Sequence, residues 1–252
     1  MITLTNLTKR YGSFTAVDGI QLTVPKGELF GFLGPNGAGK TTTFRMIAGI
    51  IVPTGGRIEI GGVDLTRQPL LAKRRLGYIP DRPFVYDKIT GAEFLRFVAA
   101  LYNVEDASLE RRIDELLDIF ELTPWKHELT ESYSHGMRQK LIIASALVHR
   151  PEVIVVDEPM VGLDPKGARL LKDLFRQYVN RGGTILMSTH TLEVAESMCD
   201  RIAIMQSGRI LASGTMDELR EQTASGDASL EDLFLRLTGG FHERQLDTIL
   251  EA

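Results

Sequence analysis

The chain has 252 residues, 43% hydrophobic and 25% charged, a composition typical of a globular protein with a sizeable core. Its net charge of −4 indicates no global attraction to nucleic acid, so we expect no nucleic-acid partner. The single cysteine, Cys199, excludes an intramolecular disulfide and favours a cytoplasmic location. We see neither a signal-peptide pattern nor an apolar run approaching the ~20 residues of a membrane span, so action at a membrane would require a partner.

The first third of the chain predicts short strands separated by turns, with one helix. Residues 2–7 alternate between apolar and polar side chains, and residues 29–33 form an apolar run typical of a buried strand. A basic cluster at residues 73–75 is interpreted as a solvated surface turn. The predicted elements are strands at 2–7, 21–24, 29–33, 57–60 and 76–79, and a helix at 41–48.

From Gly91 to Val148 the pattern changes to helical, which predicts a helical subdomain inserted at about residues 88–150. A third, largely apolar helix is predicted at 136–148. Two apolar stripes at helical spacing precede it, Phe94, Phe97, Val98 and Leu101 in the first and Leu109, Ile113, Leu116, Leu117 and Phe120 in the second.

The α/β pattern then resumes, and its strand–helix alternation predicts a mainly parallel sheet. A soft boundary is expected at 225–227, followed by a short amphipathic helix marked by Leu230, Leu233, Phe234 and Leu237. We assign residues 1–238 to one domain and 239–252 to a C-terminal tail. The predicted elements are strands at 153–156, 184–187 and 201–206, and helices at 165–180 and 192–198.

The most informative motif is a phosphate-binding loop of the pattern G-x-x-x-x-G-K-[ST], placed between the strand at 29–33 and the following helix. Its glycines allow the backbone N–H groups to curl around a phosphate, and the helix N-terminus adds further donors. The lysine supplies a positive charge for β/γ-oxygens, and the threonine hydroxyl suits Mg²⁺. The predicted binding residues are Gly34, Pro35, Asn36, Gly37, Ala38, Gly39, Lys40, Thr41 and Thr42.

Two acidic residues follow the apolar strand at 153–156, at the edge where α/β sheets bind their ligands. Asp157 suits Mg²⁺, either directly or through water. Glu158, one residue further, suits a base that orients or deprotonates an attacking water. The pair predicts hydrolysis in addition to nucleotide binding.

Residues 133–140 open the third predicted helix with Tyr133, Ser134, His135 and Gly136. This segment resembles the signature motif, usually written LSGGQ, of ATP-binding-cassette (ABC) ATPases, and its place between the phosphate loop and the acidic strand end matches that family. The resemblance covers residues 1–238. It implies a P-loop NTPase fold: a RecA-like, mainly parallel α/β core with an N-terminal antiparallel β subdomain and an inserted helical subdomain.

The resemblance also implies a set of site residues and partners. Tyr11 matches the aromatic residue that stacks on adenine, and His190 matches the switch histidine that contacts the γ-phosphate. Residues 162–164 match the loop that couples the two sites of a dimer. In the family, two nucleotide-binding domains stack head to tail, so that Ser134 and Gly136 would contact ATP on a second protomer, either an identical chain or a paralogue. The helical subdomain would meet a transmembrane permease at the inner face of the membrane.

Three positions depart from the family pattern. Asp81 stands where Gln is usual, and we expect it to act through Mg²⁺ or to turn outward, with an Asp81–Arg82 pair as the competing interpretation. His135 and Met137 replace Gly and Gln in the signature segment, either as tolerated variation or with His135 as a donor near a partner's phosphate. Val161 replaces a frequent Ser, which removes one hydroxyl.

Residues 30–33, 41–43 and 158–165 together resemble the ATP subunits of ABC-2-type bacterial exporters, which are chains separate from their permease. The leading hypothesis is therefore an ATP-hydrolysing subunit of a membrane transporter, with ATP and Mg²⁺ as ligands. A non-transport ABC ATPase, acting in DNA repair, translation or cell division, is the alternative. A regulatory module that binds ATP without turnover is a third possibility, against which Lys40, Asp157, Glu158 and His190 argue.

Overall fold

The computed structural model describes residues 1–104, 107–223 and 226–239. The strands are Ile2–Tyr11 (β1), Phe14–Val24 (β2), Leu29–Leu33 (β3), Gly55–Ile60 (β4), Val63–Asp64 (β5), Leu76–Ile79 (β6), Val153–Asp157 (β7), Thr184–Ser188 (β8), Arg201–Gln206 (β9) and Arg209–Gly214 (β10). The helices are Lys40–Ile47 (α1), Pro69–Arg74 (α2), Gly91–Leu101 (α3), Leu109–Ile119 (α4), His135–Leu147 (α5), Pro165–Asn180 (α6), Leu192–Met198 (α7), Met216–Gln222 (α8) and Leu230–Thr238 (α9).

A four-stranded sheet in the order β2-β1-β4-β5 is built from the first part of the chain, and all of its pairings are antiparallel. Strand β2 begins at Phe14, well before the strand predicted at 21–24. Asp18 and Gly19 interrupt the apolar pattern there, and the pairing with β1 shifts register around them. The antiparallel β subdomain is confirmed, with a longer second strand than the pattern predicts.

A six-stranded sheet in the order β10-β9-β3-β8-β7-β6 forms the centre of the fold. Its strands are parallel except for the edge strand β10, so the predicted mainly parallel sheet is confirmed. Strands β3, β7 and β8 are buried throughout, and their carboxyl ends lie at one edge. Strand β10 and helix α8 are absent from the prediction. The β9–β10 turn is made by Ser207 and Gly208, which both have positive φ.

Helix α1 lies between the two sheets, and its buried side chains share one apolar core with both of them. The Phe44 ring of α1 packs against Phe32 of β3, with ring centroids 5.7 Å apart. Leu4 of β1 and Ile58 of β4 belong to the same core. The element that follows the phosphate loop is therefore held on both sides, which positions the loop at the carboxyl edge of the central sheet.

Helices α3, α4 and α5 form the predicted helical region, but the buried face of α3 differs from the predicted one. Its buried residues include Phe94, Leu95 and Ala99, whereas Phe97 is 43% and Leu101 66% exposed. The prediction is confirmed for Phe94 and for Val98, which packs against the core, and was wrong for Phe97 and Leu101, because bulky side chains marked the stripe and small residues that pack closely were overlooked. The second stripe, on α4, is confirmed: Ile113, Leu116 and Leu117 are buried.

The basic segment at residues 73–75 was predicted as a surface turn and instead ends helix α2. The Lys73 ammonium donates to the Gly49 carbonyl, and the Arg75 guanidinium donates to the Gly61 carbonyl. These side chains therefore tie α2 to neighbouring turns. Part of the soft boundary predicted at 225–227, and residues 240–252 of the predicted tail, lie outside the described residues.

Candidate nucleotide site

The phosphate loop connects β3 to α1, and two of its glycines, Gly34 and Gly39, are packed so closely that they have no space for a side chain. Gly39 precedes α1 with φ 108°, and a Cβ built on it would lie 2.5 Å from the Ala16 carbonyl oxygen. A Cβ on Gly34 would lie 2.3 Å from the Met205 carbonyl oxygen. The backbone can therefore present its N–H groups at the helix N-terminus only because these positions are glycine.

Lys40, the first residue of α1, carries the only side-chain cation of the predicted loop. Its ammonium donates to the carbonyl oxygens of Gly34 at 2.6 Å and Pro35 at 3.1 Å. Burial lowers the pKa of Lys40, and the nearby charges of Glu158 and Asp157 act in the opposite direction. The ammonium thus lies over the loop, where it can exchange carbonyl acceptors for the oxygens of a phosphate.

Asp157 ends β7 and is only 2% exposed. The Ser188 hydroxyl of β8 donates to its Oδ1, and the Thr41 hydroxyl also hydrogen-bonds to the carboxylate. Burial raises the pKa of Asp157, and these two hydrogen bonds oppose that effect. Among the described residues, its Oδ2 is buried without a hydrogen-bond partner. An unpartnered buried carboxylate oxygen is costly, which indicates that a cation belongs here.

The donors around Asp157 fit Mg²⁺. The Thr41 hydroxyl and the carboxylate are hard oxygen ligands, and Mg²⁺ commonly takes one or two carboxylates plus phosphate and water. No group of three His, Cys, Asp or Glu side chains that could hold a metal is found in the described part of the chain, so a cage made only of protein ligands is not present there. Asp81, which follows β6 by two residues, is close enough for its charge to raise the pKa of Asp157.

Asp81 is half-buried, and the competing interpretation for it is not supported. Within residues 1–104, 107–223 and 226–239 the structure has no ion pair between Asp81 and Arg82. Two carboxylates, Asp81 and Asp157, therefore influence each other without an intervening arginine. Like charges at this range are stabilised by a shared cation, so the geometry favours the metal-directed interpretation.

Glu158 and His190 form a contact that the sequence did not reveal. His190 Nδ1 lies 2.9 Å from Glu158 Oε2, and the Glu158 N–H donates to the Ser188 carbonyl oxygen at 3.2 Å. Glu158 has φ 51°, a conformation that a non-glycine residue adopts rarely and that is often found at functional sites. Strands β7 and β8 are hydrogen-bonded neighbours, so the residues that follow them meet at one point above the loop.

Two clefts flank the phosphate loop. The first has a volume of about 270 Å³ and is lined by residues 36–42 with Phe14 and Ala16 of β2. The second, of about 220 Å³, is lined by residues 34–36, Thr189, His190, Leu192 and Phe234. Phe14 and Phe234 were not predicted as site residues. Phe14 sits beside the glycine turn of β1–β2, whereas Phe234 carries no sequence signal beyond its helical spacing.

Tyr11 does not line either cleft, although it lies at the same hairpin. It is paired with Phe14 in the β1–β2 register, is 50% exposed, and has the Lys9 ammonium 5.0 Å from its ring centroid. The exposed ring therefore lies at the edge of the site, and the nearer aromatic wall is Phe14.

The signature segment lies apart from the loop of its own chain. Ser134 caps α5, its hydroxyl accepting from the Met137 N–H at 3.2 Å, and neither it nor Gly136 lines either cleft. A Cβ built on Gly136 would lie 3.1 Å from the Gly162 carbonyl oxygen, and one on Gly162 would lie 2.4 Å from the His135 ring. The His135 ring thus packs against the loop at residues 162–164.

Comparison with known proteins matches residues 17–161 to the ABC transporter family model, a match that takes in the phosphate loop, the capped α5 and the acidic end of β7. The chain belongs to the ABC transporter family. It is 38% identical to a daunorubicin resistance ATP-binding protein of Streptomyces coeruleorubidus, over 94% of this chain and 74% of that one. It is 36% identical to the ABC transporter ATP-binding protein NatA of Bacillus subtilis, over 90% and 94%.

A solved structure described as an ATP-binding subunit of an ABC transporter superimposes with a TM-score of 0.90, at 35% identity, over 94% of this chain and 99% of that one. The P-loop NTPase fold and the ATPase activity expected from the resemblance are therefore confirmed, and the chain is an ATP-binding, ATP-hydrolysing subunit of an ABC-type transporter. Subunits of this family dimerise and work with a transmembrane permease. Across the described residues, no helix is long and apolar enough to cross a membrane.

Proposed function

We propose that this subunit drives an exporter of the ABC-2 type, from the inner face of the cell membrane and through a separate permease. The observation that carries the proposal is the convergence of Lys40, Asp157 and the Glu158–His190 contact on one phosphate loop. The export direction is supported by relatives named for drug resistance, including a linearmycin resistance ATP-binding protein of Bacillus subtilis that is 36% identical over 87% of this chain and 70% of that one.

Each residue of the loop edge has one role in hydrolysis. The N–H groups of residues 34–42 and the Lys40 ammonium bind the β- and γ-phosphates and offset their charge. Glu158, whose side chain is positioned by its left-handed backbone conformation, orients the attacking water and accepts its proton. His190 contacts the γ-phosphate and keeps Glu158 in place. Tyr11, with Phe14, stacks on the base.

Mg²⁺ would be held by Thr41 and Asp157, with Asp81 directly or through water. When bound, it would supply positive charge against the phosphate oxygens. Asp157 provides a buried carboxylate that is oriented by the Ser188 hydroxyl, and Thr41 provides a hydroxyl that is positioned by α1. The carboxylate must be ionised to act in this way, so a proton and Mg²⁺ would compete for Asp157, whose pKa is raised by burial in the metal-free protein.

The other half of the site would come from a second copy, in a head-to-tail dimer. Ser134 and Gly136 lie at the N-terminus of α5 but line neither cleft of their own chain. The unpaired N–H groups of such a helix end attract anions, so they suit the γ-phosphate of a partner's ATP. Gly162, which contacts both His135 and Gly136, would transmit conformational changes between the two nucleotide sites of the dimer.

The permease would dock on the helical subdomain, which we place at about residues 88–150 of the domain 1–238. An exposed aromatic group borders its start and is made of Phe84 and Tyr86, which precede the subdomain, and Phe97 of α3, with Tyr86 in edge contact with both others at 5.6 and 5.5 Å. Phe84 is 72% exposed. An exposed apolar group of this size is typical of a protein-binding surface, and it follows Asp81 closely in the chain.

ATP turnover by wild type and variants tests the assigned chemistry. We expect Glu158→Gln to bind ATP with unchanged affinity and to lose hydrolysis, whereas Lys40→Ala should lose binding itself. Glu193→Gln, an exposed acid on α7, is the matched control and should keep full turnover. Turnover by Glu158→Gln at the wild-type rate would refute the role of Glu158.

Copurification tests transport separately. Wild type should bring down a multi-span membrane protein from its own cells, and substituting Phe84 and Phe97 by Ser should abolish that association without changing the basal ATPase rate. Association with nucleic-acid or ribosomal components in place of a permease would favour the non-transport alternative.

A further inference from the structure

A cavity of about 460 Å³ lies at the amino end of the central sheet, away from the nucleotide site. It is lined by Asn103, Ser108 and Arg112 from the helical region and by His149 and Arg150 from the segment between α5 and β7. Arg150 precedes β7 while Asp157 ends it, so the two sites are roughly 20 Å apart along this strand. The cavity shares no lining residue with either cleft at the phosphate loop.

Arg112 brings a half-buried positive charge to this cavity, and no described carboxylate lies within ion-pair distance of it. Its Nη2 donates to the Leu147 carbonyl oxygen at 3.0 Å, and its Nε is buried with no partner among the described residues. No ion pair to Arg112 occurs in the described ranges. Burial lowers the pKa of the Arg112 guanidinium and the neighbouring Arg150 lowers it further, whereas the charge of Glu115, which lies 3.5 Å from Arg111, acts in the opposite direction. Buried guanidinium groups are ordinarily paired with an anion.

Arg150 adds a second cation at the same place and has an unusual backbone. Its φ of 53° is rare for a residue other than Gly, Asn or Asp. A neighbouring groove of about 610 Å³ also contains Arg112 and Arg150 and adds Lys26 and Arg181. The carboxylate in that groove, Glu152, lies 3.6 Å from Arg75 and so has a cation of its own.

A simpler account covers only part of this arrangement. Arg112 hydrogen-bonds the last carbonyl of α5, and a cation at a helix C-terminus is stabilising without any ligand. That explains one arginine. It does not explain why a second arginine, Arg150, which is exposed to solvent, lies close enough to act on the charge of Arg112, or why both border an open cavity.

We propose that this cavity binds a small phosphate-class oxyanion between the guanidinium groups of Arg112 and Arg150. Such an anion would offset the charge of both arginines and accept bidentate hydrogen bonds from them. It would also join α4 of the helical region to the loop before β7. Because the site lies at the C-terminal end of α5 and Ser134 lies at its N-terminal end, occupancy would influence the orientation of the signature helix.

Equilibrium dialysis with labelled pyrophosphate tests the proposal on the full chain. The phosphate loop is first saturated with a non-hydrolysable ATP analogue and Mg²⁺, so that the probe reports on other sites. Arg150→Asn removes the charge and retains a residue that tolerates positive φ. Arg111→Gln is the matched control, since it removes a charge from the exposed side of the same helix and does not line the cavity.

We expect wild type and Arg111→Gln to bind one pyrophosphate with the same affinity, and Arg150→Asn to bind at least about tenfold more weakly, as expected for loss of one charged hydrogen bond. Arg112→Gln should show a similar loss. Absence of binding to wild type at millimolar pyrophosphate, or an equal loss in Arg111→Gln, would overturn the proposal.

Discussion

Substituting Asp157 by Asn should make the nucleotide-free protein more stable while removing its response to Mg²⁺ and ATP. The carboxylate is buried at the end of β7, its Oδ2 has no partner among the described residues, and burial raises its pKa. An unsatisfied buried group costs about 1–3 kcal/mol, and a charged one costs more. Asn keeps an Oδ1 that can accept from the Ser188 hydroxyl and replaces the unpartnered Oδ2 by a neutral Nδ2, so the gain comes from removal of the buried charge.

The gain is partly offset, because hydrogen bonds from Ser188 and Thr41 are weaker to a neutral amide than to a carboxylate. A net stabilisation of about 1–2 kcal/mol remains by this reasoning. In a chain of this size, 1 kcal/mol corresponds to roughly 2–4 °C, so the Tm of the nucleotide-free variant should rise by about 2–8 °C at neutral pH. Thermal unfolding followed by circular dichroism measures this, with and without ATP and Mg²⁺.

The pH dependence gives a second check. Because the folded-state pKa of Asp157 is raised, the folded protein holds this proton at a pH where the unfolded chain has released it. The destabilisation by the charge is therefore complete above the raised pKa and absent below the ordinary value of 3.8. The difference in Tm between variant and wild type should accordingly shrink as the pH falls through the raised pKa.

Asp200→Asn is the matched control, because Asp200 has both carboxylate oxygens satisfied. They accept from the Leu29 N–H and from Arg176, each at 2.8 Å. That variant should lose stability. A lower Tm for nucleotide-free Asp157→Asn, or an unchanged Tm increase when it is given ATP and Mg²⁺, would refute the reasoning that Asp157 is a strained ligand kept for a cation.

Three further predictions follow from the site. Gly39→Ala should lose most nucleotide affinity, and about 2 kcal/mol or more of stability, because its φ of 108° and the Ala16 carbonyl oxygen leave no place for a Cβ; equilibrium ATP binding and urea unfolding measure both. Asp81→Gln should raise the Mg²⁺ concentration needed for half-maximal ATPase, and an unchanged Mg²⁺ titration would exclude a metal-directed role. Gly162→Ala should reduce ATPase by collision with the His135 ring, and adding His135→Ala should restore part of it; an equal loss in the double variant would show that the positive φ of residue 162 alone is responsible.

The elements whose ends were predicted correctly are those with a strong local signal in the sequence. Strands β3 and β6 and helices α6 and α7 have the predicted ends, because continuous apolar runs and a proline at a helix start are strong local signals. Strand β10 and helix α8 lack such signals. Only two of the six residues of β10 are buried, and α8 is a short helix with one buried residue, Leu219. Their positions depend on contacts with β9, which sequence periodicity does not report.

The residues of the site were predicted from the sequence more completely than their arrangement in space. Lys40, Asp157 and His190 were selected from motifs, and the structure brings them to the loop edge. The Glu158–His190 contact could not be predicted, since it depends on β7 and β8 being neighbours in the sheet. The cavity at Arg112 was missed because its two arginines lie far apart in the sequence and neither belongs to a motif.

The left-handed backbone at Glu158 explains how two consecutive acids can serve different chemistry. Successive side chains of an extended strand point to opposite faces, which would turn Glu158 away from the loop. The strand instead ends at Asp157, and the φ of 51° at Glu158 returns its carboxylate toward His190. Asp157 stays buried against Ser188, while Glu158 keeps 19% of its side chain exposed and so can meet water. The strain in this single residue thus separates a buried carboxylate from a partly exposed one, which is the division that the proposed roles in cation binding and proton transfer require.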